Sequence, residues 1–438
     1  MVKELLKIAK RNSTITKQRF ESAWLLRCST RRSKYSNRHK TVSGLCSLFA
    51  LLLIIPFLFE NAAYSEIADL KKLFETELQS VQSKYQFPGA TAAYILPDGR
   101  TGVVAVGLAD VERQLPMQPE SRMLAASIGK TFVGATALSL AGEGAIALDS
   151  PVANYLGKHP WYSRLPNHEK ITVRHLLTHT SGIANHVESE VFLQDFRNGK
   201  FANSDPPVPE SLISYVLDQP PLFEPGDGWY YTDTGYILTG LIIESVAVES
   251  LYKEITDRFL EPLQLNGTSP SNHPEISGLV PGYVDSSNVF GLPQKTMLAN
   301  GALAWNPALE WAGGGFVSNS KDLVIWGKKL FEGDAMDGNY LPTLLQSVPV
   351  SREISGVEYG IAAGIHHNGP FGASYGHGGW IPGYVSSLRY YPRYKIAVAF
   401  QLNTDIGIVD NSNDPVAELE ERLTRVVIDA LSNPSSGK

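Results

Sequence analysis

The amino-acid sequence predicts an α/β protein in which one antiparallel sheet is flanked by helices and joined to a mainly helical lobe, with the active site between them. Strand-like sequence occurs near residues 91–110, is absent from about 127 to 345, and returns at 360–403. Since strands are stable only when paired, we expect the two distant groups to complete one sheet, while residues 132–345 form the helical lobe. A cleft between two such units is a common place for small-molecule chemistry.

The first predicted elements are a helix and a hairpin. Residues 65–85 carry apolar side chains at helical spacing. The runs 91–96 and 101–110 alternate as strands do, and the sequence Pro-Asp-Gly at 97–99 between them favours a tight turn. Together they predict a terminal helix packed on the first two strands.

The C-terminal region predicts the rest of the sheet. Residues 360–367, 385–392 and 395–403 are rich in β-branched and aromatic side chains, which is typical of strands. An amphipathic helix is predicted at about 415–431. It provides the second terminal helix that covers the sheet.

The N-terminal part of the chain divides into a basic segment, residues 1–41, and an apolar segment, residues 42–65. Twelve Lys or Arg stand among the first 43 residues against two Glu, whereas Val42 to Phe59 carries no charge. This pattern indicates a signal peptide or a membrane anchor whose basic flank stays in the cytoplasm. Small residues at 63 and 65 favour cleavage, and the long basic flank favours an anchor.

The remaining chain is predicted to be an exported domain at 66–433 with a disordered tail at 434–438. This domain is expected in the periplasm or outside the cell, either free or held outside the membrane by an N-terminal anchor. The total formal charge is −6 and the first 43 residues carry +10, so the remainder carries about −16. This excludes a general electrostatic attraction to nucleic acid. Cys28 and Cys46 both precede the domain, which excludes disulfides and thiol catalysis within it.

Ser127 is the first candidate for chemistry. A serine at the start of a helix with a lysine three residues later places both side chains on one face, where the lysine can take the serine's proton if its amine is neutral. Lys130 occupies that position, and the small and apolar residues that follow indicate a buried helix. An unpaired charge is costly in such a place, which favours a functional role over a serine that only caps the helix.

The spacing Ser-x-x-Lys alone does not select Ser127, because it occurs four times in the chain. Ser435 lies in the predicted tail, Ser250 lies in the polar approach to a helix, and Ser318 precedes a helix where an N-cap is the ordinary explanation. Only Ser127 begins an apolar helix.

A second constellation is the loop 223–240, in which Tyr231 and Asp233 are two residues apart. In an extended chain these side chains point the same way. A phenol beside a cationic amine can serve as a general base. A loop with aromatic core residues is the competing interpretation.

The third constellation is YGHGGWIPGY, residues 375–384, which stands immediately before a predicted strand. His377 beside Gly378 and Gly379 indicates an edge where a ligand approaches the backbone closely. The backbone N–H of Trp380 could pair with that of Ser127 as an oxyanion hole. A glycine-rich turn is the plain alternative.

Two further patterns are weaker. His175 and His179 have the spacing of zinc ligands on a helix, but no carboxylate completes a metalloprotease pattern, so we interpret them as structural. The run AGGGF at 312–316 is expected to approach the cleft or a helix closely, or to be a plain loop.

The order of these three constellations resembles the serine β-lactamase and D,D-peptidase superfamily, and most closely its branch of class C β-lactamases, D-alanyl-D-alanine carboxypeptidases and esterases. Supporting stretches are SIGKTF, LDSPVANYL at 148–156, HLLTHTSGI at 175–183 and GHGGWIPGY. The resemblance covers about residues 66–430. It implies the β-lactamase/transpeptidase-like fold.

By this resemblance Ser127 is acylated, Lys130 and Tyr231 share its proton, and His377 and Gly379 line the substrate edge with Asp233. Which of Lys130 and Tyr231 is the general base stays open. The resemblance implies no metal and no organic cofactor.

Two departures from the family pattern affect the predicted substrate. Many relatives have Asn where this chain has Asp233, and a carboxylate there could keep Lys130 protonated, shift the base role to Tyr231, and suit amine-bearing substrates. Many relatives also have Lys and a hydroxyl residue, which bind a substrate carboxylate, where this chain has His377 and Gly378. Efficient β-lactamase action is therefore less expected than ester or peptide hydrolysis, unless Arg389 supplies the positive charge for that carboxylate.

The sequence therefore predicts a serine hydrolase that acts through an acyl-enzyme on a D-amino-acid peptide, amide or ester, with a small molecule or a cell-wall peptide as substrate. A penicillin-binding sensor, a class C-like β-lactamase and an esterase are the alternatives, and a catalytically silent scaffold is disfavoured by the intact Ser127, Lys130 and Tyr231. Association of the N-terminus with a membrane is expected, and the oligomeric state is not predicted.

Overall fold

The computed structural model describes residues 69–202, 205–351, 355–409 and 414–432. The predicted export segment 42–65 and the predicted tail lie outside the described residues. The helices, labelled α1 to α11 in chain order, are 69–85, Lys130–Gly142, Ala153–Leu156, Val173–Leu177, Glu190–Arg197, Pro209–Ile213, Asp233–Val246, Leu251–Ile255, Ser320–Glu332, Leu341–Leu344 and Pro415–Ser432.

The strands are likewise labelled β1 to β12. They are Gly89–Ile95, Thr101–Asp110, Leu115–Pro116, Met123–Leu124, Ser269–Pro270, Phe316–Ser318, Val348–Pro349, Val357–Tyr359, Gly364–Gly369, Gly372–Ile381, Tyr384–Tyr391 and Ile396–Leu402.

The first and last strands share one nine-stranded sheet, as the sequence predicts. Its order is β3-β2-β1-β12-β11-β10-β9-β8-β7, and β1 pairs antiparallel with β12 from Ala90–Leu402 to Ile95–Ala397. This pairing joins two strands that are about 300 residues apart in the sequence. The helical lobe is inserted between the two groups of strands. The predicted antiparallel α/β fold is confirmed.

Strand β1 explains how the sheet is covered on both faces. All seven of its residues are buried, and four of them are small: Gly89, Ala90, Ala92 and Ala93. Ala90 and Ala92 pack in the cluster formed with the terminal helices α1 and α11, whereas Ala93 packs in the cluster of the helical lobe. Small side chains let layers on both faces approach closely, which is the packing of a strand in a three-layer structure.

The terminal helices cover one face of the sheet with the residues that their periodicity predicts. Leu70, Phe74, Leu78 and Val81 of α1 are buried. Leu73 belongs to the same predicted apolar pattern but is 58% exposed, because it lies on the outer side of the helix. Helix α11 contributes Leu419, Leu423 and Val427 to the same core.

Helix α9 covers the opposite face. The hydroxyl groups of Thr91 in β1 and Ser320 in α9 are 2.7 Å apart. A side chain at Gly327 would lie 2.7 Å from Leu388 of β11, so this glycine permits the close approach of helix and sheet. Ser318, predicted as the N-cap of this helix, instead ends β6, and the side chain of Asn319 caps the helix by accepting from the Asp322 N–H.

The sequence misplaced several strands. The sequence predicts an edge or turn before a strand at 375–384, but residues 375–381 belong to the ten-residue strand β10. Its glycines are tolerated because both neighbours, β9 and β11, pair with its backbone. The short strands β5 and β6 lie inside the region predicted to lack strands, and they form a three-stranded sheet with β4.

Among the described residues no single helix is long and apolar enough to cross a membrane. Two consecutive helical segments, Asp233–Val246 and Leu251–Leu260, reach that length and composition only together, across a bend of 84°. The residues of α7 from Thr234 to Ile243 are buried, which places that helix in the core of the lobe.

Candidate active site

Ser127 lies in the 3₁₀ turn Ala126–Gly129, which leads directly into α2. Ala126 has φ of 50°, a left-handed conformation that costs a residue with a side chain about 1–2 kcal/mol. Gly314, whose φ is 151°, packs directly against this turn, and a Cβ there would lie 2.5 Å from the Ala126 carbonyl oxygen. Strained backbone of this kind is concentrated at functional sites.

Lys130 joins the predicted nucleophile to the rest of the site. Its side chain is fully buried, and its Nζ donates to the Ser127 Oγ over 3.1 Å and to the Asp233 Oδ1 over 2.5 Å. The Gly313 carbonyl oxygen accepts a third hydrogen bond. The amine therefore has three named acceptors, the Ser127 Oγ, the Asp233 Oδ1 and the Gly313 carbonyl oxygen.

The segment before α7 brings Tyr231 and Asp233 to this point. Thr232 between them is extended, with φ of −147° and ψ of 126°, as the prediction for these two side chains requires. Its N–H donates to His179 Nδ1 over 3.2 Å, and the N–H of Asp233 donates to Asn185 Oδ1 over 3.1 Å. Two residues of the preceding loop thus fix the backbone that carries the phenol and the carboxylate.

Tyr231 packs its ring against the amine of Lys130, with Nζ 4.9 Å from the ring centroid. Burial raises the pKa of its hydroxyl well above the usual value, the charge of Asp233 raises it further, and the Ser127 hydroxyl acts in the opposite direction. The shift of the base role to Tyr231 that the sequence suggests stays a prediction. The same carboxylate that pairs with Lys130 disfavours the phenolate.

His377 lies on β10 opposite this helical wall. Its Nε2 is 2.9 Å from the Tyr359 hydroxyl, and its Nδ1 is 2.5 Å from the Gly378 carbonyl oxygen. Burial lowers the pKa of His377 to about 3, and the nearby charge of Lys130 acts in the same direction. At neutral pH the imidazole is uncharged and both of its nitrogens are engaged.

The two glycines after His377 differ in what surrounds them. A Cβ at Gly379 would lie 2.3 Å from both the Ala125 carbonyl oxygen and the Ser386 Oγ, whereas a Cβ at Gly378 would meet only the Ser386 carbonyl oxygen, at 3.9 Å. Gly379 is therefore the residue that lets β10 lie against the turn of Ser127. The space beside Gly379 is thus occupied by the protein itself, and the close approach of a ligand to this backbone stays a prediction.

Trp380 follows in β10, opposite Val385 of β11, and its indole N–H donates to Asp405 over 3.0 Å. Its position on the strand that borders the Ser127 turn is compatible with the predicted oxyanion pair. The pairing of the two backbone N–H groups remains a prediction.

Two neighbouring cavities open at this place. Ser127, Asp233 and Gly313 line a cavity of about 400 Å³, whereas His377, Gly378 and Gly379 line a cavity of about 710 Å³. Both share walls formed by Val289, Phe290, Trp380 and Pro382. The cavity of about 400 Å³ is the candidate reaction site because Ser127 lines it.

The comparisons with known proteins agree with this geometry. A family described as Beta-lactamase matches residues 70–422. The chain belongs to the beta-lactamase family. Among its relatives, penicillin-binding protein 4* of Bacillus subtilis strain 168 is 24% identical over 349 residues, which are 76% of this chain and 72% of the relative.

Solved structures place the fold of this beta-lactamase-family chain among amidases. A D-stereospecific amidohydrolase from a Streptomyces species has a TM-score of 0.64 and 27% identity, covering 77% of this chain and 94% of its own. A D-amino acid amidase from Ochrobactrum anthropi SV3, complexed with L-phenylalanine, has a TM-score of 0.69 and 22% identity, covering 82% and 99%. The protein is a hydrolase with the serine β-lactamase and penicillin-binding protein fold.

Arg389 is predicted from the sequence as a possible source of positive charge for a substrate carboxylate, but it forms an ion pair within the protein. Its Nε donates to Glu420 of α11 over 3.0 Å, and the residue is 5% exposed. It lines the larger cavity and not the cavity of Ser127. The described walls of the Ser127 cavity carry no Arg or Lys side chain.

His175 and His179 do not share a helix face. Helix α4 ends at Leu177, and His179 follows it with φ of 62°. His175 Nδ1 accepts from the Thr172 N–H in the capping box of α4, whereas the His179 ring lies 4.2 Å from that of Tyr231. His175 thus caps α4 and His179 contacts a residue of the site, and their interpretation as structural residues stays a prediction.

Sequence reasoning missed three residues of the site. Asn185 holds the backbone of Asp233, and Tyr359 holds His377. Glu310 lines the Ser127 cavity, and burial raises its pKa to about 8. The sequence NPALEWAGGGF offered a signal only for Glu310, because a single carboxylate stands there among apolar residues just before the glycines that reach Lys130.

Proposed function

We propose that this hydrolase cleaves an amide or ester bond of a D-amino-acid derivative, including D-alanyl-D-alanine-like peptides, through an acyl-enzyme on Ser127. The observation that carries the proposal is the chain of contacts from Ser127 Oγ to Lys130 Nζ to Asp233 Oδ1 at the wall of a cavity. A hydroxyl within hydrogen-bond distance of an amine is the arrangement that nucleophilic catalysis requires.

In this proposal Lys130, in its neutral form, is the proton acceptor. The Ser127 Oγ bonds to the substrate carbonyl carbon while its proton passes to Nζ. The proton then passes to the leaving nitrogen or oxygen through the Tyr231 hydroxyl, which remains neutral because its pKa is raised, and the bond to the leaving group breaks. Water attacks the acyl carbon along the same route in reverse, which restores Ser127.

The sheet wall supports amide and ester substrates over β-lactams as the turnover substrate. His377 is uncharged at neutral pH and Gly378 has no hydroxyl, so this edge offers little to a substrate carboxylate. The buried guanidinium of Arg389, which lines the larger cavity, is paired with Glu420. The likeness to a D-stereospecific amidohydrolase from a Streptomyces species, which is 27% identical, supports the same chemistry.

Intact-mass measurement tests the proposal. The purified protein is mixed separately with benzylpenicillin, a D-alanyl-D-alanine peptide, D-phenylalaninamide and p-nitrophenyl acetate, with Ser127→Ala as the control. We expect transient acylation and turnover of the amide or ester. A penicillin adduct that persists without turnover of the other compounds would indicate a sensor, and adducts on Ser127→Ala would overturn the assignment of Ser127.

We also propose that residues 42–65 export the domain or anchor it outside a membrane, which rests on the uncharged segment and its basic flank. Cell fractionation of the full chain and of a chain lacking 42–65 tests this. Recovery of both proteins in the cytoplasm would contradict it.

A further inference from the structure

We propose that Glu310 is the receptor for a positively charged ammonium group of the substrate and so selects substrates that carry a free amine beside an apolar side chain. The inference rests on the proposed function in that it names the substrate class of the same cavity.

The position of Glu310 is set by the turn that also serves Lys130. Glu310 precedes the 3₁₀ turn Trp311–Gly313, and its carbonyl oxygen accepts from the Gly313 N–H over 2.6 Å. The carbonyl oxygen of Gly313 in turn accepts from Lys130 Nζ. A rigid segment thus fixes the Glu310 side chain in the wall of the cavity that Ser127 and Asp233 also line.

The carboxyl group of Glu310 is incompletely satisfied. Its Oε2 accepts no hydrogen bond from any described residue, while the side chain as a whole is half-buried and lines the cavity. A polar group left without a partner in this way is destabilising, so its retention requires a reason. An ammonium group in the cavity that pairs with this carboxyl group supplies one.

The other charges of the cavity favour a cation. The ionisable carboxyl side chains that line it are Glu188, Asp233 and Glu310, and the described lining includes no Lys or Arg. Asp233 is paired with Lys130, and Glu188 accepts from the Tyr230 hydroxyl at the exposed side of the site. Glu310 is therefore the carboxyl group that remains for a ligand.

The ionisation of the neighbours is consistent with this role. His186, which lines the same cavity, has its pKa lowered to about 4 by burial and therefore adds no positive charge at neutral pH. Burial raises the pKa of Glu310 to about 8, while the charge of Lys130 opposes that rise and the charge of Asp233 adds to it. An arriving ammonium group favours the ionised carboxylate, so binding is coupled to loss of this proton.

The rest of the cavity is apolar and aromatic. Its walls include the rings of Phe192, Phe196, Phe290, Trp305 and Trp380. Such walls bury an apolar side chain favourably and also attract a cation to their ring faces. The combination of one free carboxyl group with aromatic walls fits a small apolar amine better than an anionic peptide terminus.

A binding experiment that does not depend on catalysis tests the inference. Calorimetry on the Ser127→Ala protein compares 2-phenylethylamine, which is protonated at neutral pH, with 2-phenylethanol, which has the same shape and no charge. We expect the amine to bind at least about tenfold more tightly, because charged hydrogen bonds in a desolvated site are strong. Glu310→Gln in the same background should remove this preference and leave the alcohol unaffected.

A kinetic experiment on the active protein complements it. The substrates are D-phenylalanine p-nitroanilide and 3-phenylpropanoyl p-nitroanilide, which differ only in the ammonium group. Glu310→Gln should raise KM for the first roughly 10- to 100-fold and change kcat/KM for the second by less than about threefold. Glu75→Gln, an exposed change of the same charge on α1, is the matched control and should behave as the wild type.

The outcomes separate this inference from the proposed function. Equal binding of amine and alcohol to the Ser127→Ala protein, or an amine preference that survives Glu310→Gln, overturns the role of Glu310 even if Ser127 is acylated. Equal loss of both anilide activities in Glu310→Gln indicates a purely structural residue and also overturns it. An amine preference that depends on Glu310, together with a Ser127 that no amide or ester acylates, supports the inference while the proposed function fails.

Discussion

The helical wall and the sheet wall of the candidate active-site cleft differ in the charge that they carry. On the helical wall Lys130 is fully buried, and its charge is matched by Asp233 and by two further acceptors. On the sheet wall burial lowers the pKa of His377 to about 3, and a glycine follows it. The difference shows that the wall that carries Ser127 holds a buried Lys130–Asp233 pair, whereas the sheet wall is uncharged at His377 and is shaped by its glycines.

The largest expected effect concerns the helical wall. Ser127→Ala should reduce kcat/KM for any amide or ester substrate by at least roughly 10³-fold, because the acyl-enzyme cannot form. Ser250→Ala is a matched control, since Ser250 also has a lysine three residues later but only caps α8, through the Lys253 N–H. Steady-state kinetics that show a loss in Ser250→Ala, or none in Ser127→Ala, would contradict the comparison.

The next effect concerns the shape of the sheet wall. Gly379→Ala should lower kcat roughly 10- to 100-fold and reduce stability, because its Cβ would lie 2.3 Å from the Ala125 carbonyl oxygen and force β10 away from the Ser127 turn. Gly378→Ala should remain within about threefold of the wild type, since its Cβ meets nothing closer than 3.9 Å. Similar kinetics and melting temperatures for the two variants would show that the approach of β10 is not limiting.

A smaller effect concerns the pairing of charge itself. Asp233→Asn keeps the shape of the side chain and removes the carboxylate that pairs with Lys130. We expect the dependence of kcat/KM on pH to change, and the ratio of activities on amine-bearing and neutral substrates to fall several-fold. A pH–rate profile and a substrate preference that both match the wild type would argue against a role for this carboxylate.

The smallest effect is on stability. The folded protein holds a proton on Glu310 up to a pKa of about 8, whereas the unfolded chain releases it near 4.5. This group's favourable contribution is therefore complete below pH 4.5 and is lost as the pH rises towards 8. Glu310→Gln should match the wild type in acid and exceed its melting temperature by a few degrees at pH 8, as measured by calorimetry at both ends of that range.

The sequence determined the fold through patterns that do not depend on tertiary contacts. The alternation at 101–110 and the helical spacing of Leu70, Phe74 and Leu78 predict the elements that the structure contains. Strand β10 was missed because its glycines have a low intrinsic preference for strands, and pairing with β9 and β11 decides its conformation. Local preference therefore identified the elements with strong patterns and failed where neighbouring strands provide the stability.

The sequence by itself also determined the nucleophile candidate, because only one of its four Ser-x-x-Lys segments, that of Ser127 and Lys130, begins an apolar helix and precedes Tyr231 and His377 in the family order. Only the tertiary structure decided which other residues form hydrogen bonds with Lys130. Asp233 is 103 residues from Lys130 in the chain and Gly313 is 183 residues away, yet both accept hydrogen bonds from its amine. Contacts over such separations depend on how the lobe packs against the sheet, and for the same reason the role of Glu310 becomes visible only once the walls of the cavity are assembled.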